Sequence, residues 1–165
     1  MNSSTGIRAA ILTVSDRASR GEREDASGPA LARAALAQGW QMVHQEILPD
    51  EEQRLKEWLI TWCDQGLVDV LLVTGGTGFA PRDVTPEATR AVVEKLTPGL
   101  DEAMRQASLA ITPHAMLSRS VSGIRGKTLI INLPGSPKGA LENFQVILPA
   151  LGHAVKLLRD EDAGH

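Results

Sequence analysis

Short apolar runs alternate along this chain with stretches whose apolar residues recur every three or four positions. The run Val68, Val70, Leu71, Leu72 and Val73 is rich in β-branched residues and predicts a strand buried on both faces. Ile7 to Val14 and Trp40 to Leu48 read as two earlier strands. Between them Ser27 and Pro29 open a helix that carries Leu31, Ala34, Ala35 and Gln38 on one side and ends at Gly39. The clearest helical period places Leu55, Trp58, Leu59, Trp62 and Cys63 at i, i+3, i+4, i+7 and i+8, until Gly66 stops it. Both tryptophans therefore read as core or interface residues, and Cys63 as a small core residue. Further helices are predicted from Pro86 to about Leu96, from Leu100 to Ile111, and from Pro137 to about Arg159, with Pro149 as a break or kink. Ser120 to Ile124 and Thr128 to Asn132, joined by Arg125-Gly126-Lys127, suit an antiparallel hairpin. The order β-α-β-α-β-α-α-β-β-α predicts an α/β fold: a three-layer α/β/α sandwich with a mostly parallel central sheet.

In such a sheet ligands gather at the carboxyl ends of the strands. Four junctions fall there: Ser15-Asp16-Arg17, Pro49-Asp50, Thr74 to Asp83, and Asn132 to Lys138. Gly75, Gly76 and Gly78 permit a sharp turn and bring bare N–H groups close to a ligand. Neither standard phosphate motif fits. A P-loop lysine is missing, and Phe79-Ala80-Pro81 stands where a dinucleotide fingerprint would open its helix. Thr85 is placed to cap the next helix, with Pro86 at its first position. Ser136 caps the last helix, with Pro137 following, and offers an anion site at its start. Two acidic side chains beside a phosphate repel it unless a cation intervenes, so Asp50 and Asp83 imply Mg²⁺. Other roles remain open for these residues. Asp50 could cap the following helix in its D-x-x-Q pattern, Asp83 could pair with Arg82 or Arg17, and Lys138 could be a solvated first-turn lysine.

Composition narrows the function classes. At 165 residues, 42% of them hydrophobic, one domain spanning 1–165 can bury roughly 70% of its unfolded surface. Loose tails are expected at 1–6 and 160–165. Aromatic residues make up 3%, the formal charge is −3 and the pI about 5.8, with no basic cluster, which argues against nucleic acid or an anionic membrane as partner. Cys63 is the single cysteine, and the four histidines, His44, His114, His153 and His165, lack metal-ligand spacing. No secretory signal or membrane-length apolar stretch is visible, so a cytoplasmic protein is expected. The polar stretch from Ser19 to Asp25 reads as mobile.

Five segments, AILTVSDRAS at 10–19, ILPDE at 47–51, TGGTGFAPRDVTPEAT at 74–89, MLSRSVSGIRGKTLIINLPGSPKGA at 116–140 and PALGHAVKLL at 149–158, resemble the Mog-type molybdopterin adenylyltransferase family. That family shares its MogA-like fold with MoaB proteins and the G domains of gephyrin-like proteins. The resemblance implies Mg²⁺-dependent adenylylation of molybdopterin by ATP, giving adenylylated molybdopterin and pyrophosphate. It implies catalytic and metal-binding roles for Asp50 and Asp83, and a nucleotide loop at Gly75, Gly76, Thr77 and Gly78. Molybdopterin contacts are implied for Ser108, Ser118, Asn132, Pro134, Gly135 and Ser136. It further implies a homotrimer or hexamer and a molybdenum insertase as partner. Many MoaB-type relatives lack the acidic residue at Asp50 and the Arg-Asp after the glycine loop; this chain keeps both, though its length is nearer to theirs. A MoaB-like molybdopterin-binding protein without catalytic activity is the alternative.

Overall fold

The computed structural model describes residues 6–161. Six strands form one sheet: β1 (Arg8–Val14), β2 (Gln41–Leu48), β3 (Val70–Thr74), β4 (Lys95–Leu96), β5 (Ser122–Arg125) and β6 (Thr128–Leu133). Their spatial order is β2-β1-β3-β6-β5-β4. The first four in that order are parallel, whereas β5 runs antiparallel to both β6 and β4. The helices are α1 (Asp16–Ser19), α2 (Ser27–Ala37), α3 (Glu52–Asp64), α4 (Thr85–Val92), α5 (Pro98–Leu109) and α6 (Pro137–Leu158), with a 3₁₀ turn at Pro113–Leu117.

Two separate cores give the three expected layers. On one face Ile11, Leu72, Ile131 and Leu133 of the sheet pack with Leu31 and Ala35 of α2, Met104 of α5, and Phe144, Ile147 and Leu151 of α6. On the other, Leu12, Leu71, Val73 and Ile130 meet Leu55, Trp58, Leu59 and Cys63 of α3 and Ala88 and Val92 of α4. Every residue of β3 and of β6 is buried, as a strand covered on both sides requires. Cys63 lies within the second core, where burial pushes its thiol up to about 12. Trp58 is buried in the same core, and Trp62 stacks on His44.

Several boundaries differ from the sequence pattern. Helix α4 ends at Val92, not near Leu96, because Val93 is extended and the Glu94 N–H donates to the Ile124 carbonyl. Lys95 and Leu96 then pair with β5 as a sixth strand. Pro149 does not break α6, which runs through it. Pro149 and Gln145, whose carbonyl loses its donor, lie on the exposed side, while Phe144, Ile147 and Leu151 stay packed on the sheet. The segment expected to be mobile opens in the single turn of α1 and closes at Asp25, whose carboxylate accepts from Thr13 Oγ1 (2.8 Å) and from the Gly28 N–H (3.0 Å). Of the expected tails, 1–5 and 162–165 lie outside the described residues. Asp160 and Glu161 are tied back by backbone hydrogen bonds to Leu157 and Lys156. No described helix is long and apolar enough to cross a membrane.

Candidate functional site

Register brings the four junctions level. Thr13 lies opposite Thr74, Thr74 opposite Leu133, and Val14 opposite Leu48. The chain therefore leaves four adjacent parallel strands on one rim.

Asp16 and Asp50, on neighbouring strand ends, clasp each other through their backbones. The Asp16 N–H donates to Asp50 Oδ2 (2.9 Å) and the Asp50 N–H to Asp16 Oδ1 (3.0 Å). Asp50 thus does not cap α3, whose N-cap, Glu51, makes no side-chain capping bond. Arg82 forks onto Asp16, with Nε to Oδ2 at 2.6 Å and Nη2 to Oδ1 at 2.9 Å, and so holds that carboxyl below its ordinary range. Asp50 goes the other way. Burial raises its pKa, and the charges of Asp16 and Asp83 add to the rise.

The glycine loop begins where β3 leaves the sheet. Gly75 and Gly76 have φ of 102° and 67°, a region closed to most side chains. A Cβ on Gly75 would strike the Val14 carbonyl, and one on Gly76 would strike Thr85 Oγ1 and lie 3.1 Å from Asp50 Oδ1. Thr85 is not the cap of α4; its hydroxyl donates to the Gly75 carbonyl (2.8 Å), and Val84 holds the cap position without a side-chain bond. Asp83 is not paired with Arg82 or Arg17. Its Oδ2 accepts the N–H groups of Gly78 (3.1 Å) and Ala80 (3.0 Å) and so closes the loop from within. The β6 junction packs against this turn: Thr74 Oγ1 donates to the Pro134 carbonyl (2.6 Å), and a Cβ on Gly135 would come 3.3 Å from the Gly75 Cα. Ser136 caps α6 by accepting from the Gly139 N–H (3.1 Å). Lys138 is exposed and reaches toward Glu142 at 3.8 Å.

Two clefts flank this ridge. One, of about 320 Å³, is bounded by Asp50, Asp83, Gly75, Gly76, Gly135 and the start of α2. The other, of about 290 Å³, lies against α5 and includes Thr77, Gly78, Ser108, Ser118 and Pro134; Ser136 borders both. The loop residues assigned together from sequence are thus divided, with Gly75 and Gly76 on the acidic side and Thr77 and Gly78 on the α5 side. Asn132 reaches neither cleft. It is fully buried, with Oδ1 accepting from the Val121 N–H (3.2 Å) and Nδ2 donating to Thr89 Oγ1 (2.9 Å). Ser108 Oγ donates to Asn143 Oδ1 (2.7 Å), and Arg105 holds the carbonyls of Ser118 (3.2 Å) and Ser120 (3.1 Å). Sequence reasoning passed over Arg105, Asn143 and Arg119. All three act through pairings distant in sequence that no local pattern encodes.

Among the described residues no group of three or more His, Cys, Asp or Glu side chains could hold a metal by itself. Asp50 and Asp83 nevertheless each spend one oxygen on backbone N–H groups, and the other makes no hydrogen bond. Two carboxylates with open oxygens, one of them destabilised by neighbouring negative charge, fit Mg²⁺, which takes few protein ligands and completes its shell with phosphate and water.

Residues 10–153 match the family described as a probable molybdopterin binding domain. A Helicobacter pylori molybdopterin adenylyltransferase is 44% identical over 154 residues, covering 92% of this chain and 88% of that protein. Gephyrin of Dictyostelium discoideum is 43% identical over 161 residues, again 92% of this chain, which spans only 22% of gephyrin's length. Among solved structures, the molybdopterin biosynthesis enzyme MoaB of Thermus thermophilus superposes with a TM-score of 0.88 at 47% identity, covering 93% of this chain and 97% of that one.

Proposed function

The chain belongs to the molybdopterin-binding domain family, whose adenylyltransferase members it matches over nearly its whole length, and on that premise we propose that it adenylylates molybdopterin with ATP in molybdenum cofactor biosynthesis. The observation that carries this reading is the pair Asp50 and Asp83, each with an open carboxylate oxygen, lining the acidic cleft beside the ridge that separates it from the α5-side cleft. One cleft would take the nucleotide and the other the pterin, so that their phosphates meet at the ridge. An oxygen of the molybdopterin phosphate forms a bond to the α-phosphorus of ATP, the α–β bridging P–O bond breaks, and pyrophosphate leaves.

The backbone of Gly75 and Gly76 allows close approach of phosphate at the acidic cleft. Ser136 and the start of α6 offer N–H groups and a helix dipole to an anion on the pterin side. Arg82 keeps Asp16 ionised and leaves Asp50 and Asp83 without a cationic partner of their own. Mg²⁺ held by Asp50 and Asp83 would neutralise the charge that builds where the two phosphates approach. In the same reading the protein is a cytoplasmic homotrimer or hexamer that passes its product to an insertase. Mixing the protein with ATP, Mg²⁺ and molybdopterin should yield adenylylated pterin by mass spectrometry. Tight pterin binding without that product would identify a carrier instead.

A further inference from the structure

The loop from Thr77 to Asp83 has almost nothing to pack on. Phe79, Ala80, Pro81 and Arg82 are all exposed, so its shape comes from hydrogen bonds. Asp83 closes it from within, and Arg119 holds it from outside. Arg119 Nε donates to the Gly78 carbonyl (2.8 Å), Nη2 to the Asp83 carbonyl (2.9 Å), and its backbone N–H to the Thr77 carbonyl (2.9 Å). Nη1 pairs with Glu87 on α4. One guanidinium thus spans both ends of the loop and the helix that follows it.

Arg119 also stands between Ser118 and Ser120, both of which line the α5-side cleft and hydrogen-bond to each other (3.1 Å). Their carbonyls are held by Arg105 of α5, which lines the same cleft. A strap of three residues therefore borders one cleft with its serines and, with its arginine, shapes the loop that carries Asp83 into the other.

We propose that Arg119 is a positioning residue for the transfer, setting the loop that carries Asp83 from the strap that lines the pterin cleft; this rests on the adenylyltransferase reading above. A partly exposed ion pair with Glu87 would by itself do little. The two carbonyl bonds are what require arginine, because a lysine ammonium cannot span acceptors so far apart with a planar fork.

The test compares Arg119→Gln and Arg119→Lys with Arg125→Gln, in which Arg125 of the β5–β6 hairpin loses its ion pair with Asp64 of α3 and its bond to the Val92 carbonyl. Amide exchange is followed at Gly78 and Ala80, the two donors to Asp83, and turnover is measured with ATP, Mg²⁺ and molybdopterin. Arg119→Gln should speed exchange at both amides and lower kcat about a hundredfold, with KM for molybdopterin changed by less than about threefold. Arg119→Lys should fall between, added guanidinium should partly restore Arg119→Gln, and Arg125→Gln should match the parent protein. Unchanged exchange at Gly78 and Ala80, or unchanged kcat, in a folded Arg119→Gln protein would overturn the proposal. Faster exchange in a protein whose parent form makes no adenylylated pterin would keep the positioning role and sink the adenylyltransferase reading instead.

Discussion

Asp50 and Asp69 stand at opposite ends of the same parallel strands and show what each end is for. Asp69, just before β3, is buried and surrounded by cations. Arg8 donates through its backbone N–H (2.8 Å), Nε (3.2 Å) and Nη2 (3.1 Å), and Arg159, beyond α6, donates through Nε (3.1 Å) and Nη2 (2.5 Å). Burial alone would raise its pKa, but the Arg159 and Arg8 hydrogen bonds overcome this and hold it at about 2. Asp50 is half-buried beside two further carboxylates, with no arginine hydrogen-bonded to it, and its pKa is raised. A saturated carboxylate closes the fold, clamping the end of the last helix to the sheet. A carboxylate left without its counter-charge marks the candidate site, where in the proposed reaction the missing charge would arrive as Mg²⁺ with ATP.

The largest effect should come from breaking the saturated end. Asp69→Ala leaves two arginines facing a buried gap and should cost about 3–5 kcal/mol in denaturant unfolding, with kcat retained while the protein is folded. If stability were unaffected, Asp69 would not be the clamp described. Asp50→Asn should do the reverse and lower turnover at least roughly a hundredfold while unfolding at the same or higher denaturant, since the amide removes an unfavourable charge. Near-normal turnover would take Asp50 out of the mechanism.

The sequence made the rim visible but not this division of labour. Hydrophobic runs and turn residues located β1, β2, β3 and β6 and all four junctions, because β1, β3 and β6 are largely buried and β2 alternates along its length, and both patterns are local. Strand β4 left no pattern, being two exposed residues defined only by their partner β5. Asp83 stood out as a charge beside a glycine turn, and Asp50 as one at a strand end. The contacts that set the charge around Asp50 did not, since its clasp with Asp16 spans 34 positions and the Arg82 fork onto Asp16 spans 66. Thr85 had the spacing of a cap, yet the Gly75 carbonyl within reach of its hydroxyl took the bond instead.

Acid should separate the two ends as well. A carboxyl depressed in the folded state gives stability that is complete above its unfolded value of 3.8 and is lost as pH falls through about 2. Asp69 should therefore contribute on the order of 2 kcal/mol at neutral pH that disappears between about pH 4 and pH 2. An Asp69→Asn protein should lack that part of the acid transition. Asp50, being raised, has the opposite sign: its ionised form costs stability at neutral pH and is relieved on acidification. A still smaller change is expected at the cap of α6. Ser136→Ala removes the cap of α6 and should lower stability by about 1 kcal/mol while weakening pterin binding and sparing ATP binding. Loss of ATP affinity instead would reverse the assignment of the two clefts.

The contrast can be read most directly on the carboxyl groups themselves, by a ¹³C NMR titration of Asp50 and Asp69 with and without ATP and Mg²⁺. The account predicts that Asp50 titrates above the ordinary aspartate range in the free protein and drops when ATP and Mg²⁺ are added together, while Asp69 stays near 2 throughout. An Asp50 carboxyl that titrates low in the free protein, or that ignores ATP and Mg²⁺, would contradict it.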